Sequence, residues 1–116
     1  MSTRLPRERI LDILETIEEI QQFTADMTFD QFQADRKTLK AVMADFAIMG
    51  EAAGHIPEAL TKEHPTVPWA IMRAMRNRMV HVCFSVSPLV LWDTVQHDLP
   101  ALVDPLRQML DELGNP

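Results

Sequence analysis

The sequence has few glycines and cysteines and lacks tyrosine: its 116 residues include three glycines, one cysteine and no tyrosine. No Asn-Gly or Asp-Gly pair is present to start a tight β-hairpin, so an antiparallel sheet is disfavoured. The one cysteine, Cys83, cannot form an intrachain disulfide, which fits a reducing compartment. The first ten residues lack the apolar stretch of a signal peptide, and no run approaches the roughly 18 apolar residues of a membrane span. We therefore expect a cytoplasmic protein without a membrane segment.

Basic residues are also scarce, with 11 Lys and Arg against 17 Asp and Glu and a net charge of −6. This balance argues against a surface that wraps nucleic acid non-specifically, although it leaves room for a local basic site. The apolar share of 47% and the charged share of 24% are those of an ordinary globular chain. At this length we expect a single helical domain over residues 1–116.

Apolar residues recur at helical spacing along the whole chain. The first such run predicts a helix over about 5–24, with its apolar positions at Ile10, Ile13, Leu14, Ile17 and Ile20. Thr28 followed by Gln31 predicts a capping box that opens a short helix. A longer helix is expected over about 35–55, and a short helical turn is expected in "PEALTKEH".

Prolines mark the second half of the chain. Pro68 suits the first position of a helix over about 68–83, and Ser87 with Pro88 suits the start of the last helix. Pro100 and Pro105 fall within that last helix and should bend or interrupt it. The fold class predicted is all-α, a bundle of four to five helices with short connections.

A basic island interrupts the acidic chain, because no acidic residue occurs between Glu63 and Asp93. We give this name to residues 73–81, whose polar members are Arg73, Arg76, Asn77, Arg78 and His81. Each helical residue turns about 100°, so Asn77 and His81 share a face, whereas Arg76 and His81 lie about 140° apart. Arg76 and His81 therefore cannot easily meet from one straight helix, and a two-fold pairing of two copies would offer another way to bring them together.

The residue types in the island suit RNA cleavage. A histidine near neutral pKa can move a proton from a ribose 2′-hydroxyl or to a leaving 5′-oxygen. An arginine can hold a phosphate through two hydrogen bonds and balance its growing charge, and this route requires no metal. A purely structural explanation competes with this one: the arginine pairs with a carboxylate such as Glu51, and the histidine caps a helix end.

A larger pattern surrounds the island. The stretches "IMGEAAGHIPEALTKEHPTVPWAIMRAMRNRMVHVCFSV" and "LWDTVQHDLPALVDPL" closely resemble the HepT-like branch of the HEPN family, and the likeness runs from about Ile48 to Leu106. In that family an Arg, a polar residue, three further residues and a His form the ribonuclease signature. By resemblance these fall on Arg76, Asn77 and His81 as catalytic and positioning residues, with Arg73 and Arg78 beside the substrate.

The resemblance also implies an assembly and a partner. It implies an all-α homodimer that acts as a toxin-type endoribonuclease without metal or cofactor, and a cognate antitoxin that is a small nucleotidyltransferase, usually called MNT. Such antitoxins can add AMP to a tyrosine two residues after the histidine. Here that position is Cys83, so this chain departs from the pattern and tyrosine AMPylation cannot be its means of control. Three alternatives stay open: the antitoxin blocks the protein physically, another residue is modified, or the regulated activity has been lost.

The missing tyrosine keeps a second function open. The rival is a non-catalytic helical dimer that binds and regulates a partner nucleotidyltransferase, and an RNA cleavage assay separates the two functions.

Several other residues are expected to have structural roles. His55 and Glu51, four residues apart, are expected to form a surface ion pair rather than to bind a metal ion. Either Asp45 or Glu51 is expected to neutralise an arginine of the island. The methionines near the island are expected to fill the core or a dimer interface, namely Met43, Met49, Met72, Met75 and Met79.

Overall fold

The computed structural model describes residues 4–81 and 86–114. The described residues contain no strand, and their helices are α1 Pro6–Thr24, α2 Phe29–Ala34, α3 Arg36–Gly54, α4 Glu58–Glu63, α5 Trp69–His81, α6 Pro88–Asp93 and α7 Leu99–Leu113. A π turn over Thr94–Asp98 joins α6 to α7. The all-α prediction is confirmed. No described helix is long and apolar enough to cross a membrane.

The isoleucines of α1 form the centre of the core. Ile10, Ile13, Ile17 and Ile20 are each at most 1% exposed, and α1 packs against α3 and α7. Full burial of one such side chain contributes about 1.5–3 kcal/mol, so the helical spacing of these four residues is enough to orient α1. The predicted bounds of 5–24 agree with the helix observed.

Side-chain caps fix where the next helices begin. At α2 the predicted capping box is present: Gln31 N donates to Thr28 Oγ1 at 3.2 Å, and Thr28 N donates to Gln31 Oε1 at 2.9 Å. At α3 the Thr38 N–H donates to Asp35 Oδ1 at 3.2 Å, and the hydrogen bonds from Thr38 lower the pKa of Asp35. The expected helix over 35–55 is confirmed as Arg36–Gly54.

The C-terminal part departs from the prediction in one respect. Ser87 caps α6 as expected, its Oγ accepting from Val90 N at 3.5 Å. The single last helix is divided by the π turn two residues before Pro100, which has no N–H to donate and lies in the first turn of α7. The expected interruption therefore occurs at Pro100. α7 continues through Pro105 to Leu113 without a break.

Helix α5 lies against α3, and a glycine sets how closely the two approach. A Cβ built on Gly50 would overlap the Cβ of Arg76 and the carbonyl oxygen of Met72.

Helix α5 begins at Trp69, one residue after the predicted Pro68, and the Trp69 indole N–H donates to the His64 carbonyl oxygen at 3.0 Å. The predicted end of this helix at 83 lies outside the described residues.

Most of the methionines near the island belong to the core. Met49, Met72 and Met79 are 2–6% exposed, and Met43 and Met75 are partly buried against the same cluster. The prediction that they fill the core is confirmed. The outer side of α5 remains exposed, with Ala70, Ala74, Asn77 and Arg78 in solvent and Ile71 66% exposed.

Gly50→Ala should destabilise the protein, because the new methyl group would meet backbone atoms of α5, which cannot move aside cheaply. Overpacking of this kind costs about 1–3 kcal/mol. The matched control is Gly54→Ala, four residues along the same helix, where the nearest atoms are those of the Arg73 side chain at 3.8 and 3.9 Å. Thermal unfolding of both variants should show a loss only for Gly50→Ala, and equal melting temperatures would contradict the packing described.

Asp45 generates a prediction about pH. Its side chain is 5% exposed, and its Oδ2 has no hydrogen-bond partner among the described residues. Burial, followed by the charge of Glu19 and then its hydrogen bond, raises the pKa of Asp45 to about 7. An acid whose pKa is raised in the folded state binds more protons there, so the free energy of unfolding should fall as pH rises from about 4 to about 7.

Asp45→Asn should therefore stabilise the protein at pH 8, because the buried carboxylate is charged there and the amide is not. The gain should be up to about 4 kcal/mol, since each tenfold change in proton affinity between the folded and unfolded states corresponds to about 1.36 kcal/mol. The variant should also show a flatter dependence of stability on pH. Urea unfolding between pH 4.5 and 8 measures both effects.

Asp104→Asn, which changes an exposed carboxylate on α7, is the control for this experiment and should leave the pH dependence as it is. An Asp45→Asn variant whose stability varies with pH as steeply as that of the parent would refute the assignment.

Candidate active site

Arg76 lies where three helices meet. Its α5 backbone is pressed against Gly50 of α3, and its side chain lines a cleft of about 340 Å³ between α1 and α3. The other charged residues lining this cleft are Arg9 and Asp12 from α1 and Glu51 from α3. Arg9 and Arg76 are far apart in the sequence, and they line the same cleft because α1 and α5 both pack against α3.

The guanidinium group of Arg76 is held at two of its three nitrogens. Nε lies 3.1 Å from Glu51 Oε2, and Nη1 donates to Asn77 Oδ1 at 3.1 Å. Within residues 4–81 and 86–114, Nη2 has no protein partner. The Nη1–Nη2 end of the group therefore keeps hydrogens for two parallel bonds to a phosphate, the geometry in which arginine binds phosphates well.

Glu51 is the centre of the charge arrangement. His55 Nε2 lies 3.1 Å from Glu51 Oε1, so one carboxylate oxygen contacts the imidazole of His55 and the other contacts the guanidinium group of Arg76. The hydrogen bond from His55 lowers the pKa of Glu51, and the positive charges of Arg76, His55 and Arg9 lower it further. The predicted His55–Glu51 surface pair is present, and Glu51 is the acid that neutralises an arginine of the island. Asp45 is instead buried near Glu19 and Glu15.

The exposure of the Arg76–Glu51 pair limits what it contributes to stability. The side chain of Arg76 is 35% exposed and that of Glu51 is 52% exposed. Ion pairs exposed to this degree contribute about 0–1 kcal/mol, because water and salt screen them. The Arg76–Glu51 contact is thus too weak to explain Arg76 as a structural requirement, and its clearest effect is to orient the guanidinium group.

The remaining residues of the island lie apart from this cleft. Arg73 is exposed near Gly54, and Arg78 and Asn77 are exposed on α5. Across the part of the chain that is described, neither Arg73 nor Arg78 forms an ion pair. Their expected contact with substrate is a prediction that nothing in the fold tests.

The two other predicted positions reach the edge of what is described. His81 is the last described residue of α5. Arg76 and His81 therefore lie on one helix, which is the condition for the angle of about 140° between their positions around the helix axis. Its side-chain role lies outside the described structure, as does Cys83. Among the described residues, no group of three histidine, cysteine or carboxylate side chains could hold a metal ion, and metal independence stays a prediction.

Two features of the site are not evident from the sequence. Gly50 stands in the stretch "GEAA", and nothing in its neighbours signals that Arg76 packs against it. Arg9 belongs to a short basic stretch near the start of the chain, yet it lines the cleft. Its position on α1, one residue before the buried Ile10, is the signal that could have placed it near the core.

Comparison with known proteins shows which family the chain resembles. The model of the family described as "Ribonuclease HepT-like" matches residues 13–109. The chain is 40% identical over 99 residues to a Thermococcus cleftensis protein named "Probable ribonuclease HepT", an alignment that covers 85% of this chain and 90% of the relative. It is 35% identical over 107 residues to a Methanocaldococcus jannaschii protein named as a candidate RNase, covering 92% of this chain and 88% of the relative.

No solved structure matches the chain significantly. The family match covers α3 and α5, and the alignments with the two relatives each extend over most of the chain. The chain therefore belongs to the HepT-like ribonuclease family.

Proposed function

We propose that this protein is a metal-independent endoribonuclease that cleaves RNA through Arg76 and His81, and that it is the toxin of a HEPN/MNT toxin–antitoxin pair. The observation that carries the proposal is the state of Arg76: two contacts orient its guanidinium group, and its outer end can still receive a phosphate. The family membership supports the ribonuclease class.

In the proposed reaction the ribose 2′-hydroxyl attacks the neighbouring phosphorus, and the bond to the 5′-oxygen breaks. His81 moves the proton from the 2′-hydroxyl or to the leaving oxygen. Arg76 binds the non-bridging oxygens and stabilises the charge that grows on them. The products are a 2′,3′-cyclic phosphate and a 5′-hydroxyl end, and no metal takes part.

Asn77 and Glu51 act through Arg76 in this scheme. Asn77 accepts a hydrogen bond from the guanidinium group and Glu51 forms an ion pair with its Nε, so the group is already oriented when the phosphate binds. The exposed Arg73 and Arg78 extend the positive charge along α5 and would attract the RNA backbone to an otherwise acidic protein.

Control by the antitoxin is proposed to be physical. A tyrosine acceptor for AMP does not exist in the 116 residues, and Cys83 stands at its position. The island is a positive surface on an acidic protein, and it suits an acidic or phosphate-bearing group of a nucleotidyltransferase partner. The rival function, a non-catalytic dimer that regulates such a partner, predicts the same complex without RNA cleavage.

Arg76→Ala should strongly slow cleavage with little loss of stability. Removing one preorganised donor costs about 2.7–4 kcal/mol in the barrier, a rate loss of about 100- to 1,000-fold, whereas the exposed ion pair contributes at most about 1 kcal/mol to folding. Alanine also keeps the Cβ that packs against Gly50. Arg76→Lys should fail too, because an ammonium group cannot replace the planar fork, and His81→Ala should be inactive.

Cleavage of single-stranded RNA in EDTA, with a melting temperature for each variant, measures both effects. Arg107→Ala, an exposed arginine of α7, is the control and should match the parent. If the parent leaves every RNA intact while Arg76→Ala unfolds many degrees earlier, Arg76 is part of the scaffold and the regulatory alternative replaces the ribonuclease.

The protein should form a homodimer through the outer face of α5. That face exposes Ala70, Ala74 and the 66% exposed Ile71, an apolar strip on a helix that carries the island. Light scattering at micromolar concentration should give twice the mass of one chain, and Ile71→Glu should give a monomer. Leu89→Glu, at a 51% exposed position on α6, is the control that should remain dimeric. A monomeric parent would contradict the assembly.

A further inference from the structure

A second groove, of about 450 Å³, lies along α3 beside the end of α5 and the start of α6. Most of the residues that line it are apolar, among them Leu39, Met43 and Met79. Its two charged residues are Arg36 and Lys40, which are exposed, and none of the described residues that line it is acidic. On a chain with a net charge of −6, this groove is therefore a local positive site with apolar walls.

Arg36 and Lys40 have no acidic partner within the described part of the chain. The neighbouring Asp35 is engaged by Thr38, whose backbone N–H and hydroxyl both donate to its carboxylate. The two cations are poorly placed for the helix, because like charges four residues apart repel each other and the positive end of the helix dipole lies at the first turn. The first turn of α3 holds no acidic residue that would offset them. Helix stability thus does not account for this pair, whereas the binding of an anion does.

The groove is continuous with the cleft beside Arg76, because Ala47 lines both. Each helical residue turns about 100°, so Arg36, Lys40, Ala47 and Glu51 fall within about 60° of one another around the axis of α3. Glu51 is the acid that contacts the Arg76 guanidinium group. At a rise of about 1.5 Å per residue, Lys40 and Glu51 are separated by about 16 Å along the axis. One side of α3 therefore leads from the two cations to Arg76.

The chemistry of the groove suits a nucleotide. Its volume of about 450 Å³ falls within the roughly 300–1,000 Å³ typical of ligand sites. Single-stranded RNA is recognised through unstacked bases, and the thioether sulfurs of Met43 and Met79 would contact such aromatic rings favourably. The phosphates beside the base would meet Arg36 and Lys40. An acidic protein segment would also suit the two cations, but the continuity with the cleft favours the strand that Arg76 holds.

We infer that Arg36 and Lys40 bind backbone phosphates of the RNA and that the groove beside them takes a base of the same strand, so that this groove is a substrate subsite of the Arg76 centre. The inference rests on the proposed function, since it assigns the groove to the RNA that Arg76 and His81 cleave. Both cations are positioning residues, which hold the strand and take no part in proton transfer.

The double variant Arg36→Gln/Lys40→Gln should bind a long RNA poorly. Its KM for an oligoribonucleotide with one mapped cleavage site should rise about 10-fold or more, the loss expected when charge-assisted hydrogen bonds are removed, and kcat should stay within about twofold. A dinucleoside monophosphate is too short to extend from Arg76 to Lys40. The ratio of kcat/KM for the long RNA to that for the dinucleoside should therefore fall by the same factor.

The matched control is Lys62→Gln/Arg107→Gln, which removes two exposed cations of α4 and α7 and changes the net charge equally. It should leave both constants as they are in the parent.

Salt dependence separates a phosphate contact from a structural role. Each phosphate contact on a single strand contributes about 0.7 to the slope of log K against log salt, so the double variant should reduce the magnitude of that slope by about 1.4. The exchanged variant Arg36→Lys/Lys40→Arg keeps both charges and should retain the slope and most of the affinity. Fluorescence anisotropy with the labelled oligoribonucleotide measures both quantities.

Ala44→Glu tests the groove itself, because it places a carboxylate among the lining residues. The new charge should repel the RNA and weaken its binding about as much as the double variant does. Two other occupants would overturn the inference. If Ala44→Glu or the double variant has half the mass of the parent in light scattering, the groove is an interface between copies. If these variants bind RNA normally but no longer co-purify with a co-expressed nucleotidyltransferase, the groove is a docking site for that protein.

Failure of the subsite and failure of the ribonuclease are distinguishable. If the parent cleaves RNA and Arg36→Gln/Lys40→Gln keeps its KM and salt slope, the subsite is refuted and the ribonuclease stands. If the parent neither binds nor cleaves RNA, both proposals fall.

Discussion

The close approach of α5 to α3 at Gly50 is the contact on which the site depends. Because Gly50 has no side chain, the backbone of α5 can lie against α3 at the level of Met72 and Arg76. The Arg76 side chain then reaches Glu51, one residue further along α3, and the same packing forms one wall of the cleft. A larger residue at position 50 would move the arginine away from both. The packing of α5 on α3 thus determines where the guanidinium group of Arg76 lies.

The electrostatics of the cleft follow from weak contacts rather than strong ones. Glu51 is 52% exposed and holds Arg76 with a bond that contributes little to folding, but an orienting contact does not need to be strong. The carboxyl group of Asp45, also on α3, is buried instead: it is 5% exposed, and burial raises its pKa to about 7. The pH dependence of stability and the orientation of Arg76 thus depend on different carboxylates of α3, Asp45 and Glu51.

The fold was predictable because its signals are local. Ile10, Ile13 and their neighbours define α1 by spacing alone, and Thr28 with Gln31 gives the start of α2 through bonds within four residues. The interruption near Pro100 was expected because proline has no N–H to donate, but local spacing did not indicate that α7 would continue through Pro105 without a break.

The candidate site could be proposed only where a motif marked it. Arg76 and Asn77 were predicted from their spacing to His81 and from the resemblance around them, and the Glu51–His55 pair, which is present, from its i,i+4 interval. Gly50 against Arg76, and Arg9 across the cleft, depend on contacts between helices that are distant in the chain. Such contacts follow from packing and leave no pattern in the neighbouring residues.

Mass spectrometry of the RNA fragments made by the purified protein in EDTA shows whether Arg76 and His81 promote attack by the 2′-hydroxyl without a metal. If they do, the fragments end in a 2′,3′-cyclic phosphate and begin with a 5′-hydroxyl. Fragments with a 5′-phosphate and a 3′-hydroxyl, or intact RNA, would contradict this mechanism.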